Sequence, residues 1–197
     1  MEIARCAWVG TNPLLIKYHD TEWGVPVYDD RKLYEYMVLD AFQAGLSWVG
    51  TLGKRGGLER AFAGFDPNIV AKFTADDVDR LIQDASIIRN RQKIKAAITN
   101  AQAVVRLQET GVSLSELLWN FVGNETIYNN FGREDEIPGS TELSIALSKS
   151  LRQHGFSFVG PTICYAFMQA AGLVNDHLAG CAFKGGGAES DARNYKA

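Results

Sequence analysis

Two cysteines and two histidines stand near the two ends of the chain and could together bind a metal. His177 and Cys181 lie four residues apart, so in a helical segment both side chains would point off one face. Cys6 and His19 form a second pair near the N-terminus. Thiolate and imidazole are the ligands that zinc prefers, and four of them complete a tetrahedral site. Alternatively, the four residues are buried or capping residues that never meet.

The chain that would position these residues is of moderate length. The 197 residues are 46% hydrophobic and 11% aromatic, which suffices for one large domain or for two small lobes with a shared core. No apolar run reaches the roughly 18 residues of a membrane span, and the N-terminus lacks the apolar region of a signal peptide. We therefore expect a soluble cytoplasmic protein whose three cysteines are thiols or metal ligands.

The net charge of −3 counts mildly against a nucleic-acid partner, because proteins that coat nucleic acid are usually basic overall. A weakly acidic chain can still bind DNA through a local basic face, with an affinity that depends on salt. Composition therefore does not exclude DNA as a partner.

Helical periodicity dominates the chain and no segment alternates as a strand does, which predicts an all-α fold. Residues 1–28 are rich in aromatics and contain Pro13 and Pro26, so we expect an irregular segment that packs on the rest. The basic sequence K-R-G-G at 54–57 predicts a turn, and the polar residues 123–140, which include Gly, Asn and Pro, predict a loop. The pattern predicts helices over these approximate ranges: 29–45, a short one after Ser47, 58–62, 67–73, 74–81 with Thr74 and Asp77 as a capping box, 87–110, a segment after a Ser113–Glu116 capping box, 141–154 and 161–171.

The helix over 29–45 carries a mixed apolar and acidic face. Asp29 or Asp30 can cap its start and Gly45 can end it. Five residues fall on neighbouring rows of the face expected to be buried: Leu33, Tyr36, Met37, Asp40 and Ala41.

The last two predicted helices are joined by a tight turn that contains Gly155 and Gly160. A helix, a hairpin and a helix are the plan of the helix-hairpin-helix element, in which backbone N–H groups at the second helix bind a DNA phosphate. Such a site would let a protein of negative net charge bind DNA. The alternative is an ordinary pair of antiparallel helices.

Several long sequence strings resemble the 3-methyladenine DNA glycosylase I family of bacteria, across about residues 5–183. The strings are R-C-A-W-V at 5–9, Y-H-D-T-E-W-G-V-P at 18–26, F-Q-A-G-L-S-W at 42–48, I-I-R-N-R-Q-K-I at 87–94, F-V-G-P-T-I-C-Y-A-F-M-Q-A-A-G-L-V-N-D-H at 158–177, and the closing Gly180-Cys181. The resemblance implies a helix-hairpin-helix glycosylase fold. It also implies a monomer that hydrolyses the bond between 3-methyladenine and deoxyribose in double-stranded DNA.

The resemblance further implies one structural zinc ion, with Cys6, His19, His177 and Cys181 as its ligands. A site closed by four protein ligands has no position for water, so the zinc would tie the two termini together and would not activate a nucleophile. A zinc-dependent hydrolase is the reading that we reject on this ground. Cys164 is expected in the core, and His154 at a helix end.

The family's pocket for the flipped-out base corresponds here to Tyr18, Trp48 and the carboxylate Asp40. Trp8 and Trp23 are further aromatic candidates, with core packing as the alternative. Gln43 is a second polar candidate, with an exposed helix position as the alternative. N3-methylation makes adenine a cation, and aromatic rings attract cations.

Asp40 departs from the family, which usually has Glu at this position. Asp keeps the charge and the acceptor atoms but is one methylene shorter, so selectivity could loosen or a water could bridge the gap.

Two absences bear on the mechanism. Asn175 occupies the position at which many related glycosylases have a catalytic Asp, and no Lys follows Gly160 to attack the sugar. We therefore expect a monofunctional enzyme that relies on base binding and a positioned water. A non-catalytic protein that only binds alkylated DNA is the rival interpretation.

DNA contact is expected from the hairpin, and residues 1–183 are expected to form one catalytic unit with a disordered tail over 184–197. The hairpin residues are Phe158, Val159, Gly160, Pro161 and Thr162. Further basic candidates are Lys54, Arg55, Arg89, Arg91, Lys93 and Lys95.

Overall fold

The computed structural model describes residues 3–185, and this part of the chain is mostly helical. Its helices are α1 (Pro13–Thr21), α2 (Asp30–Gln43), α3 (Trp48–Ala61), α4 (Pro67–Val70), α5 (Ala75–Leu81), α6 (Arg91–Glu109), α7 (Leu114–Trp119), α8 (Glu142–Gln153) and α9 (Pro161–Ala170). Two-residue strands, β1 (Ile127–Tyr128) and β2 (Val174–Asn175), and four short 3-10 helices, Ala7–Val9, Ala63–Phe65, Asn120–Val122 and Glu134–Glu136, complete the set.

Helix α2 lies at the centre and packs against α3, α6, α7 and α9. The carboxylate of Asp29 caps its start by accepting the N–H of Lys32 at 2.8 Å. After Gln43 the chain turns through Gly45, whose φ of 77° suits glycine. The buried face predicted from the sequence is confirmed, since all five of its residues are at most 5% exposed: Leu33, Tyr36, Met37, Asp40 and Ala41.

Helix α3 is longer than its sequence pattern predicts. The predicted turn at 54–57 is wrong, because those residues continue one helix from Trp48 to Ala61. Two glycines, Gly56 and Gly57, weaken the local helix signal. Tertiary contacts compensate, since Arg55 forms ion pairs with Glu22 and Glu35, both at 2.7 Å.

The N-terminal segment is more regular than predicted, because residues 13–21 form α1. Pro13 occupies the first helical position, where its missing N–H costs nothing. The Asn12 side chain accepts the N–H of Leu14 at 2.9 Å. Here proline marks the start of a helix and does not interrupt one.

The segment 174–181 is not helical, so His177 and Cys181 do not share a helix face as the spacing first suggested. Val174 and Asn175 instead pair in parallel with β1, which lies inside the predicted polar loop. The all-helical expectation is confirmed apart from this small pair.

Two predicted capping boxes are confirmed. Thr74 and Asp77 begin α5, and Ser113 and Glu116 begin α7, with the reciprocal bonds present in both. Helix α6 begins at Arg91, later than predicted, because the Asn90 side chain accepts the N–H groups of Gln92 and Lys93.

The described chain ends with an anchored lysine. The Lys184 ammonium donates to the carbonyls of Asn129 and His177, at 2.6 and 3.0 Å. The rest of the predicted tail, from residue 186 on, lies outside the described residues. Between residues 3 and 185, no helix combines the length and apolar character that crossing a bilayer requires.

The two glycines Gly53 and Gly57 of α3 should respond oppositely to substitution by Ala. A Cβ at Gly57 would collide with the backbone carbonyl of Ser86, whereas a Cβ at Gly53 meets nothing within 4 Å. We expect G57A to lower the free energy of unfolding by about 1–3 kcal/mol. We expect G53A to raise it by about 0.5–1 kcal/mol through helix propensity. Urea denaturation of both variants measures the difference, and equal effects would contradict the close packing at Gly57.

Candidate active site and metal-binding cluster

A cavity of about 380 Å³ opens where the N-terminal segment, α2, α3 and α9 meet. Its lining contains all six residues predicted for a base pocket, together with four that were not predicted. The lining residues are Trp8, Tyr18, Trp23, Asp40, Gln43, Trp48, Glu134, Ile137, Ala166 and Gln169. The structure therefore brings the predicted set together, whatever ligand it serves.

Asp40 lies in the wall of this cavity with an unsatisfied oxygen. It is 4% exposed, and its Oδ2 has no hydrogen-bond partner. Burial without a nearby cation raises the pKa of Asp40 well above its ordinary value and favours the neutral acid. An unpaired buried carboxyl oxygen costs free energy that a ligand with a matching donor would recover.

The aromatic side chains form two edge-to-face pairs around the cavity. The rings of Tyr18 and Trp48 lie 5.1 Å apart at 65°, and those of Trp8 and Trp23 lie 5.2 Å apart at 75°. The indole Nε1 of Trp48 is buried and also lacks an acceptor. Two residues of the lining, Trp48 and Asp40, thus each bury one polar atom without a partner among the described residues, beside the ring surface of the cavity.

Gln43 lines the cavity and also holds the turn after α2. Its amide nitrogen donates to the carbonyl of Leu46 at 2.8 Å. Beside it the buried Lys93 ammonium donates to the carbonyls of Phe42 and Ala44, both at 2.7 Å. Lys93 therefore supports this turn from inside and cannot contribute to a DNA-binding face.

Glu134, Ile137, Ala166 and Gln169 reach the cavity without any local signal that sequence reasoning had used. The first two belong to the predicted polar loop, which folds against the pocket. Gln169 is the one polar residue in an apolar helical run, which could have marked it. Its amide donates to the buried carboxylate of Asp176 at 2.8 Å.

The four predicted metal ligands converge, and their ligand atoms all lie within 4.8 Å of one another. His177 Nδ1 lies 3.1 Å from His19 Nε2, 3.4 Å from the Cys181 sulfur and 3.9 Å from the Cys6 sulfur. The Cys181 sulfur lies 3.5 Å from His19 Nε2. This buried cluster could bind a metal ion.

Neighbouring groups orient both imidazoles toward the centre of the cluster. His19 Nδ1 lies 2.8 Å from the Asp20 carboxylate, and His177 Nε2 lies 3.0 Å from the carbonyl of Trp23. If these two outer nitrogens carry the protons, two imidazole lone pairs face each other inside and repel unless a cation lies between them. Burial also lowers the pKa of His177 to about 4, which favours the neutral, ligand-competent ring.

The remaining cysteine and histidine lie where they were predicted. Cys164 is 2% exposed in the core and outside the cluster. His154 follows α8, and its Nδ1 lies 2.9 Å from the carbonyl of Ser150.

The hairpin between α8 and α9 is held by a buried side chain of α6. The Asn100 amide accepts the N–H of Ser157 at 2.8 Å and donates to its carbonyl at 3.0 Å. Gly155 and Phe158 both have positive φ, 84° and 55°. Among residues 3–185, no acceptor engages the N–H groups of Gly160 and Thr162.

Asn175 lies outside the cavity lining and supports the backbone. Its side chain lies 3.5 Å from the carbonyl of Gly24 and accepts the N–H of His177 at 3.3 Å. Asn175 is therefore buried beside the cluster of Cys6, His19, His177 and Cys181.

A mostly helical body, an aromatic cavity around a buried carboxyl group and a Cys₂His₂ cluster at the termini together define a particular class of protein. The family model for methyladenine glycosylase matches residues 8–184. The chain therefore belongs to the methyladenine glycosylase family.

Individual relatives agree along almost the whole chain. The DNA-3-methyladenine glycosylase 1 of Escherichia coli (strain K12) is 50% identical over 177 residues, which cover 90% of this chain and 95% of that protein. A crystal structure of a 3-methyladenine DNA glycosylase I superposes with a TM-score of 0.89 at 49% identity and covers 90% and 98% of the two chains. The Staphylococcus aureus 3-methyladenine DNA glycosylase I, studied for 3-methyladenine recognition, has a TM-score of 0.88 at 35% identity, with 91% and 96% covered.

The raised pKa of Asp40 should make stability depend on pH. The unfolded chain loses this proton near the ordinary value of 3.8, while the folded protein keeps it to higher pH. Raising the pH above that value therefore lowers the free energy of unfolding. Because Asn does not titrate, D40N should gain stability relative to the unsubstituted protein between about pH 4 and 7. Urea denaturation across this range measures the gap, and a gap independent of pH would show that Asp40 titrates normally.

Proposed function

We propose that this protein is a DNA repair glycosylase that removes 3-methyladenine from alkylated double-stranded DNA and acts as a monomer. The observation that carries the proposal is the aromatic cavity whose buried Asp40 and Trp48 each leave one polar atom unpaired. The family membership and the E. coli relative's name support the same reaction.

The cavity chemistry suits a methylated adenine that has been swung out of the duplex. N3-methylation leaves the base positively charged, so the rings of Tyr18, Trp48, Trp8 and Trp23 would attract it, at on the order of 1–2 kcal/mol per well-placed ring. The carboxyl group of Asp40 would accept hydrogen bonds from the adenine edge. Because Asp is shorter than the Glu usual in the family, a bridging water is expected to complete that contact.

The proposed enzyme is monofunctional. No lysine is among the described residues that line the cavity, and the three residues just after Gly160 are Pro161, Thr162 and Ile163. A covalent attack on the sugar would need such an amine. Release of the base would instead depend on tight positioning of a cationic base and of one water molecule.

The hairpin Phe158–Thr162 is the proposed contact with the DNA backbone, in the manner of a helix-hairpin-helix element. Free N–H groups at the start of α9 would bind a phosphate oxygen. Lys149 and Arg152 of α8 line a groove beside Pro161 and would add positive charge. Helix α9 links this contact to the pocket, because Ala166 lies about 6 Å further along its axis than Thr162.

Zinc is the proposed occupant of the Cys₂His₂ cluster, in a structural role. A tetrahedral site with these ligands has edges of roughly 3.3–3.8 Å, and four of the cluster's ligand-to-ligand distances are 3.1–3.9 Å. N–H groups of Leu178 and Phe183 point at the two sulfurs, at 3.4 and 3.5 Å, and would stabilise thiolates. All four positions would be filled by protein, so the ion would stabilise the single unit 1–183 and leave base release to the cavity.

A protein that only binds alkylated DNA is the rival proposal. It rests on Asn175, which cannot act as a base, and on the shortened Asp40. Incubation of the purified protein with methylated DNA, followed by chromatography of released bases, separates the two. Absence of free 3-methyladenine at stoichiometric protein would exclude the glycosylase.

Replacing Asp40 by Asn should reduce kcat/KM for release of 3-methyladenine by about 10- to 100-fold, the size of one hydrogen bond to a charged group. Affinity for undamaged DNA should stay unchanged, because Asp40 lies inside the cavity. D40E restores the carboxylate and serves as the control, with activity retained. A D40N variant as active as the unsubstituted protein would remove Asp40 from base recognition.

Replacing Cys181 by Ser should remove zinc, while the same change at Cys164 should not. Both cysteines are buried, but only Cys181 belongs to the cluster. We expect C181S to contain much less than one zinc per chain and to melt roughly 5 °C lower or more. C164S should keep its zinc. Metal analysis and thermal denaturation test this, and equal zinc contents in the two variants would refute the assignment.

A further inference from the structure

Glu134 brings a second carboxylate to the cavity, from a segment that sequence reasoning treated as a loop. It begins the 3-10 helix Glu134–Glu136, is half-buried and lines the cavity together with Trp8. Its Oε1 accepts the backbone N–H of Trp8 at 2.5 Å. The side chain is therefore fixed at the wall by one of its two oxygens.

The segment that carries Glu134 is tied to the C-terminal part of the protein through residues that shortly precede it. The carbonyl of Phe131 accepts the N–H of Ala179 at 2.8 Å, and the N–H of Asn129 donates to Asn175 at 3.2 Å. The Glu136 carboxylate accepts the N–H of Gly132 at 2.7 Å. These bonds hold the segment in place as part of the cavity wall.

The charge of Glu134 has no cationic partner within residues 3–185. Its neighbour Asp135 pairs with Arg133, and Glu22 and Glu35 pair with Arg55. No hydrogen bond from the described residues reaches the second oxygen of Glu134. Within the described chain, the wall therefore presents a carboxylate without a cationic partner to whatever enters.

We propose that Glu134 is a specificity-determining residue that selects nucleobases carrying a positive charge and favours the departure of the neutral product. The inference rests on the proposed function and deepens it. It concerns the charge of the lesion, to which Glu134 would respond in addition to the cation–π attraction of the aromatic rings.

The charge of the base changes during the reaction, and this change determines at which stage Glu134 attracts it most. The bond between N9 and C1′ breaks, its electron pair goes to the base, and the cationic base becomes neutral 3-methyladenine. Water adds its oxygen to C1′ and releases a proton to solvent. Attraction between Glu134 and the base is therefore strongest in the substrate complex, weaker in the transition state and absent from the product complex.

An interaction stronger in the ground state than in the transition state affects binding more than the chemical step. E134Q should therefore raise KM for methylated DNA by about three- to tenfold, as expected for one partly screened charge, without lowering kcat. Gln retains an oxygen that can accept the N–H of Trp8, so the wall should stay in place.

Two small molecules of nearly the same shape test the charge directly. The 3,9-dimethyladeninium ion is permanently cationic, and free 3-methyladenine is neutral at mildly alkaline pH. Tryptophan fluorescence can report binding, because Trp8, Trp23 and Trp48 line the cavity. We expect E134Q to weaken binding of the cation by about three- to tenfold and to leave binding of the neutral base unchanged.

The matched control is D135N, which removes the same charge from the next residue, on an exposed side chain outside the cavity. It should leave both affinities and KM unchanged. If E134Q weakens both ligands equally, Glu134 only positions Trp8 and charge selection is overturned. Unchanged affinities in E134Q overturn it as well. Failure of the unsubstituted protein to release 3-methyladenine would overturn the proposed function alone, because the comparison of the two free ligands does not depend on turnover.

Discussion

The convergence of two thiols and two imidazoles is the constraint on which the binding cavity depends. Trp8 and Tyr18 lie on the stretch of chain between Cys6 and His19, and Trp23 follows it closely. The carbonyl of Trp23 itself holds His177 in orientation. Three of the four aromatic residues that line the cavity therefore belong to the N-terminal segment that the cluster holds against the C-terminal end of the fold.

The cavity differs from the rest of the interior in whether its buried polar atoms have partners. Buried charges elsewhere are compensated: Arg55 binds Glu22 and Glu35, and Lys93 binds two carbonyls at the end of α2. Within residues 3–185, the only buried side-chain nitrogen and oxygen atoms without a partner are Nε1 of Trp48 and Oδ2 of Asp40. A protein that satisfies its other buried groups leaves these two for a ligand.

The sequence predicts the helical class, most helix starts and the members of the cluster and of the aromatic wall. Caps such as Ser113 and Glu116 act within four residues, so their signals are local. The sequence pattern divides helix α3 in two because its Gly56-Gly57 pair is typical of a turn, whereas the ion pairs of Arg55 that accompany the continuous helix are tertiary contacts. Glu134 and Gln169 were missed for the same kind of reason, since only tertiary structure brings them to the cavity.

The proton on Asp40 and the charge of the ligand are coupled in this arrangement. With no cation nearby, burial favours the neutral acid, and a cationic base entering the cavity would favour the carboxylate and displace the proton. Departure of the neutral base would restore the acid. Asp40 would thus adapt its charge to the ligand at the cost of a proton, whereas Glu134 lies half-exposed at the wall. The two carboxyl groups differ in burial, and on this proposal the buried one would recognise the adenine edge while the half-exposed one would add to the discrimination of charge.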